Sequence, residues 1–180
     1  RKKTNLRGAR AVAFMCPGQG TQTVGMGKAL AAGFVSARQI FDEVDEELDE
    51  KLSTVICEGP DDTLTLTANA QPALMAVSLA ALRVLEAEAG LDLKRDVQFV
   101  AGHSLGEYSA LAAAGAFTVA DTARLLRIRG LAMQKAVPVG VGAMAALIGL
   151  EFDAAAAVAT EAAQGLVCQA ANDNGAGQVV

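Results

Sequence analysis

Tryptophan is missing from the 180 residues, histidine and tyrosine occur once each, and phenylalanine six times. So few aromatics argue against an all-β sandwich, whose strands draw on β-branched and aromatic side chains. Hydrophobic residues still make up 52% of the chain, much of it alanine, against 19% charged. That composition suits closely packed helices and excludes disorder as the main state. Cysteine is scarce too: Cys16, Cys57 and Cys168 lie far apart, form no CxxC pair and have one histidine for company. No zinc site can be written from them, no metal is expected, and free thiols in a reducing compartment are the simplest reading. Fifteen Lys and Arg against twenty Asp and Glu give a formal charge of −5, which excludes nucleic acid as a partner class. No uninterrupted apolar run reaches the ~18 residues of a membrane span, so no membrane helix is expected. The Arg1-Lys2-Lys3 start has no apolar stretch behind it, which argues against a secretory signal. A cytoplasmic protein of about one domain is expected, with residues 1–10 as a solvated tail.

What is present reads as alternating strand and helix. Ala11–Cys16 is a short apolar run ended by Pro17-Gly18, the pattern of a buried parallel strand. A glycine-rich stretch leads to a helix near Lys28–Ala32, and Ser36 can cap a second helix running to about Leu48. Pro72 is suited to the first turn of a helix that Gly90 stops, with Leu74, Val77, Ala81 and Leu85 at helical spacing. Val97–Ala101 is a second strand candidate, and Asp121 can cap a helix through Lys135. After Gly140 the pattern becomes strand (Ala143–Leu150), helix (Asp153–Gln164, capped by Asp153), strand (Leu166–Ala171) and strand (Gln178–Val180), the last two joined by the turn Asn172–Gly175. The order predicts an α/β sheet covered by helices, with a subdomain joint at Pro138–Gly142.

Gly102-His103-Ser104-Leu105-Gly106 matches G-x-S-x-G in the context that motif requires, a strand before it and a helix-forming run after it. Small residues let the backbone turn sharply and lift Ser104 to the positive end of the helix dipole, where the Leu105 N–H can donate to an oxyanion. The plain alternative is a tight turn lubricated by glycine. Arg129 is the second informative residue. At about 100° per residue it falls among Leu125, Ile128, Ala132 and Met133 rather than with Arg124, Arg127 and Lys135. A guanidinium there either pairs with an internal carboxylate or receives a substrate carboxylate through its bidentate fork. Third is Pro17-Gly18-Gln19-Gly20, at the carboxyl end of the first strand, where parallel sheets bind ligands. The Gln19 amide could supply the second half of an oxyanion hole; no Gly-Lys-Ser/Thr follows to make a nucleotide loop. His103 adjoins Ser104 and should project away from it, so it lines the pocket or holds the turn rather than acting as base. Gln71 is either a helix cap or a pocket-lining amide.

Together these segments resemble the malonyl-CoA:acyl carrier protein transacylase family of fatty-acid synthesis, nearly end to end from Ala11 to Val180. The resemblance rests on FMCPGQGTQTVGMG, QPAL, AGHSLGEYSALAAAG, IRG, MQKAVPVGVGAMAALIGL and ANDNGAGQVV, in order. It implies an α/β-hydrolase-like large subdomain (11–139) and the beginning of an inserted ferredoxin-like small subdomain (140–180). It also implies that Ser104 takes up the acyl group, Arg129 grips the malonyl carboxylate, Gln19 and the Leu105 N–H form the oxyanion hole, and Gln71 and His103 lie around the pocket. The reaction implied is ping-pong: Ser104 attacks malonyl-CoA, coenzyme A leaves, and the phosphopantetheine thiol of acyl carrier protein collects the malonyl group. No cofactor is bound in such a scheme, and a monomer is expected. The family's catalytic histidine lies downstream of the small subdomain and is not among these 180 residues, so little activity is expected from them alone. Arg124, Arg127 and Lys135 are the expected basic patch for an acidic carrier protein. Rival readings are a serine hydrolase or esterase, a polyketide acyltransferase, and, from another class, a non-catalytic docking module.

Overall fold

The computed structural model describes residues 11–180; the expected tail lies outside them. The chain divides into two compact units, one ending at Ala136 and one spanning Val137–Val180.

In the first unit, β1 (Ala13–Cys16) pairs in parallel with β2 (Phe99–Gly102), Ala13 opposite Phe99 and Cys16 opposite Gly102. Between them in sequence come α1 (Lys28–Gly33), α2 (Val35–Leu48), α3 (Leu52–Glu58), α4 (Asp61–Thr65), α5 (Thr67–Val84) and α6 (Leu93–Asp96). α7 (Leu105–Ala113) and α8 (Val119–Ala136) follow β2. The result is the expected α/β class, but the strands are not buried as expected: Met15 and Phe99 are exposed on this two-stranded sheet, and only Cys16 at the end of β1 is buried. α2 buries Ala37, Ile40, Phe41 and Val44, the i, i+3, i+4, i+7 stripe of an amphipathic helix. α5 is the central helix and is buried on nearly every side, from Ala70 and Leu74 round to Met75, Leu79 and Leu82. The stripe read from the sequence does not single out its core face: Leu74 is buried but Leu85 is exposed. With the π-helical turn Leu85–Ala89, α5 forms a 23-residue helix long and apolar enough to cross a membrane by length and composition, although 67% of its apolar stretch is buried in the fold. A core helix enclosed by its neighbours meets that test as readily as a membrane span does.

Three helix starts differ from expectation. α5 begins five residues before Pro72, which sits inside it; Ala68 N–H is capped by Gln134 Oε1 of α8 at 3.0 Å, a partner 66 positions away. α8 begins at Val119, where Thr118 Oγ1 accepts from Asp121 N–H at 3.0 Å and donates to Asp121 Oδ2 at 2.8 Å, so Thr118 is the cap and Asp121 lies in the first turn instead of opening the helix. α2 starts after Phe34, with no side-chain cap from Ser36.

The second unit holds β3 (Leu147–Ile148) and β4 (Gln178–Val179), antiparallel, and α9 (Phe152–Ala163). α9 is preceded by Glu151 and takes no side-chain cap, so Asp153 contributes only charge to its first turn. The Asn172–Gly175 turn forms, with Asn174 N–H donating to Gln178 O at 2.9 Å. The strand expected over Leu166–Ala171 does not: Leu166 and Val167 are exposed, and only Ala171 at its end reaches Val180. An apolar run becomes a strand only when a neighbour takes its hydrogen bonds along its length, and among the described residues that happens only at Ala171.

Candidate active site

Ser104 sits between β2 and α7 at φ 56°, ψ −113°, a conformation that side-chain-bearing residues avoid and that costs about 1–3 kcal/mol. The flanking glycines explain how the chain tolerates it. A Cβ on Gly102 would overlap the Gly106 carbonyl, and one on Gly106 would collide with the Cys16 carbonyl oxygen and lie 2.7 Å from that of Pro17. The turn is thus steric in origin: two backbones approach where only hydrogen can stand between them. Gly106 N–H donates to His103 O at 2.9 Å and Glu107 N–H to Ser104 O at 3.1 Å. Leu105 opens α7 with its side chain fully buried, and its N–H is one of the first four of a helix, which have no acceptor within it.

The Pro17–Gly20 loop lies against this turn. His103 N–H donates to Cys16 O at 3.2 Å, and a Cβ on Gly18 would stand 2.5 Å from His103 Nδ1, so the imidazole packs directly on Gly18. Gln19 Nε2 donates to Thr67 Oγ1 at 3.1 Å. Burial raises the pKa of the Cys16 thiol, just before the loop, from 9.0 to about 11.

Arg129 reaches the same place from α8. One Nη donates to Ser104 Oγ at 2.9 Å, the other to Gln71 Oε1 at 2.6 Å, and the guanidinium carbon stands 5.8 Å from the centre of the Tyr108 ring. Gln71 is fully buried, and its Nε2 donates to Met133 Sδ at 3.2 Å. Among the described residues Arg129 forms no ion pair with a carboxylate. Gly130 makes the approach possible, since a Cβ there would lie 2.6 Å from Ala68 Cα and 2.7 Å from Thr67 O. Chemically the site offers a hydroxyl on a strained turn, a helix N-terminal N–H beside it and a half-buried cation with no counter-charge among the described residues.

Two expectations are corrected. The core side of α8 is Val119, Thr122, Ala123, Leu126 and Gly130, while Ile128, Ala132 and Met133 are exposed. Arg129 therefore lies at the edge of the packed face, where it reaches both Gln71 and the opening. The Arg124–Arg127–Lys135 patch is not a free positive surface. Arg124 pairs with Glu47 at 3.0 Å and with Asp121, and Arg127 pairs with Glu50 at 2.8 Å and donates to Asn69 Oδ1 at 2.5 Å. Three carboxylates thus face two guanidinium groups, and Lys135 is exposed further along α8. Thr67 and Tyr108 carry no local signal in the sequence, and their roles appear only once α5, α7 and α8 are packed together.

Residues 13–178 match the acyl transferase domain family. The chain is 48% identical over 170 residues to the malonyl CoA-acyl carrier protein transacylase of Bacillus subtilis (strain 168), covering 94% of this chain and 52% of that protein. The crystal structure of acyl-carrier-protein-S-malonyltransferase from Bartonella henselae superposes with a TM-score of 0.87 at 61% identity, over 94% of this chain and 54% of the other. A malonyl-transacylase solved in complex with its type II polyketide acyl carrier protein gives 0.84 at 40% identity, with 94% and 54% covered. The chain spans about half the length of these relatives. With its serine turn, its glycine spacing and a match along nearly all of its length, the chain belongs to the acyl transferase domain family.

Proposed function

We propose that these residues carry the nucleophile and the carboxylate receptor of a malonyl-CoA:acyl carrier protein transacylase of fatty-acid synthesis. The observation that carries this reading is the Arg129 guanidinium shared between Ser104 Oγ and Gln71 Oε1, with no carboxylate of its own among the described residues. A malonyl thioester fits such a pair, because its carboxylate and its thioester carbonyl are two bonds apart. Arg129 takes the carboxylate in a charge-assisted fork, which brings the thioester carbon to Ser104. Ser104 Oγ attacks it, and the oxyanion that forms is met by the Leu105 N–H and by Gln19. The carbonyl re-forms as the coenzyme A sulfur leaves with a proton, giving malonyl-Ser104. The phosphopantetheine thiol of acyl carrier protein then attacks the ester and leaves as malonyl thioester, returning the proton to Ser104.

The base for both steps is the family's downstream histidine, outside these residues; His103, packed on Gly18, is pocket lining in this reading. The activity is cytoplasmic and monomeric, needs no bound cofactor, and belongs to a protein whose ferredoxin-like subdomain begins near residue 140. A serine hydrolase would share the turn but has no use for a guanidinium beside the nucleophile. The test is transfer of labelled malonyl from coenzyme A to holo-acyl carrier protein. The full-length protein should transfer malonyl faster than it hydrolyses malonyl-CoA, residues 1–180 alone should show little turnover, and Ser104→Ala should show none. Hydrolysis exceeding transfer would favour the esterase reading, and unchanged transfer by Ser104→Ala would favour a docking module.

A further inference from the structure

One helix turn connects the two ends of this site. Thr67 and Gln71 stand four residues apart on α5 and so share a face, separated by a rise of ~6 Å. Gln71 holds Arg129. Thr67 Oγ1 accepts from Gln19 Nε2, and among the described residues this is the one hydrogen bond of the Gln19 side chain. Gln19 needs such an anchor. It is exposed, and the glycine after it has φ 105°. The hydrogen bonds that follow it in the loop are local: Thr21 Oγ1 donates to Gly18 O at 3.0 Å, and Gly20 N–H to Gln22 Oε1 at 2.8 Å. The first turn of α5 is in turn fastened to α8, by Gln134 on the Ala68 N–H, by Arg127 on Asn69 Oδ1, and by backbone contact at Gly130. Thr67 is therefore a fixed point against which an exposed side chain can be held.

We propose that Thr67 is a positioning residue for the oxyanion-binding side of the site, an inference that rests on the transacylase reading above. Its hydroxyl accepts one N–H of the Gln19 carboxamide and leaves the other for the oxygen that becomes negative when Ser104 attacks. A donor already aimed at that oxygen stabilises the transition state without having to be ordered during the reaction. Every thioester carbonyl develops this charge, whatever acyl group it carries. Thr67 thus governs the rate of loading for all acyl groups, whereas Gln71, through Arg129, governs recognition of the carboxylate.

The experiment measures kcat and KM for Ser104 loading by the full-length protein with malonyl-CoA and with acetyl-CoA. Thr67→Val keeps the shape and removes the acceptor (Thr67→Ala serves if that variant does not fold), and Thr67→Ser keeps the hydroxyl. Thr67→Val should lower kcat about tenfold for both substrates with KM little changed, and Thr67→Ser should recover most of the loss. Gln19→Ala should lower kcat at least as far, and the double variant no further than Gln19→Ala alone, because the two residues act as one unit. Wild-type rates in Thr67→Val, a change in malonyl KM alone, equal defects in Thr67→Ser and Thr67→Val, or additive losses in the double variant would each overturn the assignment. If the wild-type protein loads acetyl but not malonyl, the transacylase reading fails instead, and the Thr67 comparison is still decided on acetyl.

Discussion

Replacing Gln71 by leucine separates carboxylate recognition from the rest of the chemistry. The amide is fully buried, accepts from Arg129 at 2.6 Å and directs its other end at the Met133 sulfur. Leucine is close in size and apolar on an enclosed helix, so the fold should change little. The guanidinium, however, loses its only buried acceptor among the described residues. A hydrogen bond to a charged group contributes about 1.5–3 kcal/mol. Arg129 is half-buried and can recruit water in place of the amide, which puts the effect at the low end, about 1.5–2 kcal/mol. At a factor of ten for each 1.4 kcal/mol, malonyl kcat/KM should fall about 10- to 30-fold in Gln71→Leu. Acetyl-CoA has no carboxylate for Arg129, and its loading should hold within about twofold. The assay is Ser104 loading from each thioester by the full-length protein. An equal fall for both substrates, or no fall for malonyl, would refute the role given to the Gln71–Arg129 pair.

Three further expectations follow from particular contacts. Gly106→Ala drives a methyl group into the carbonyls of Cys16 and Pro17, so it should cost about 3 kcal/mol in thermal unfolding and abolish acylation; full stability would show that the turn is not held by that approach. Arg127→Glu sets a second carboxylate beside Glu50, and Arg127 is mostly buried, so it should destabilise by about 2 kcal/mol and slow loading and carrier-protein transfer together. Slowing of transfer alone would restore the basic-patch idea. Burial raises Cys16 from 9.0 to about 11, so the folded state keeps a proton that the unfolded state releases first. Its contribution to stability is intact below pH 9 and is lost as pH rises from 9 through 11; Cys16→Ala should show a smaller alkaline loss than wild type in chemical denaturation, and identical pH profiles would contradict this.

The parts of the site legible in the sequence are those whose cause is local. The Ser104 turn is a steric requirement spelled by Gly102 and Gly106 within five residues, and the short apolar runs before Pro17 and Gly102 mark the strands that carry both loops. Arg129 stood out because a cation so placed needs an explanation. Its partner Gln71 could not be named, because the contact exists only after α5 and α8 pack across 58 positions. The same physics misplaced the start of α5, whose cap is a glutamine on another helix. It also misassigned the face of α8, where apolar side chains near the site are left exposed and Gly130 marks the true contact. In the second unit, Leu166–Ala171 has the composition of a strand, but among the described residues only Ala171 finds a strand-like partner, in Val180.

The account depends most on Ser104 being acylated selectively by an acyl group that bears a carboxylate. Intact-protein mass spectrometry of the full-length protein, given equal malonyl-CoA and acetyl-CoA, tests this directly. Wild type should gain one malonyl group, mapped by peptide analysis to Ser104, and Arg129→Ala should lose that preference while still taking up acetyl. Malonyl attached anywhere other than Ser104, or the same malonyl preference in Arg129→Ala, would contradict the account.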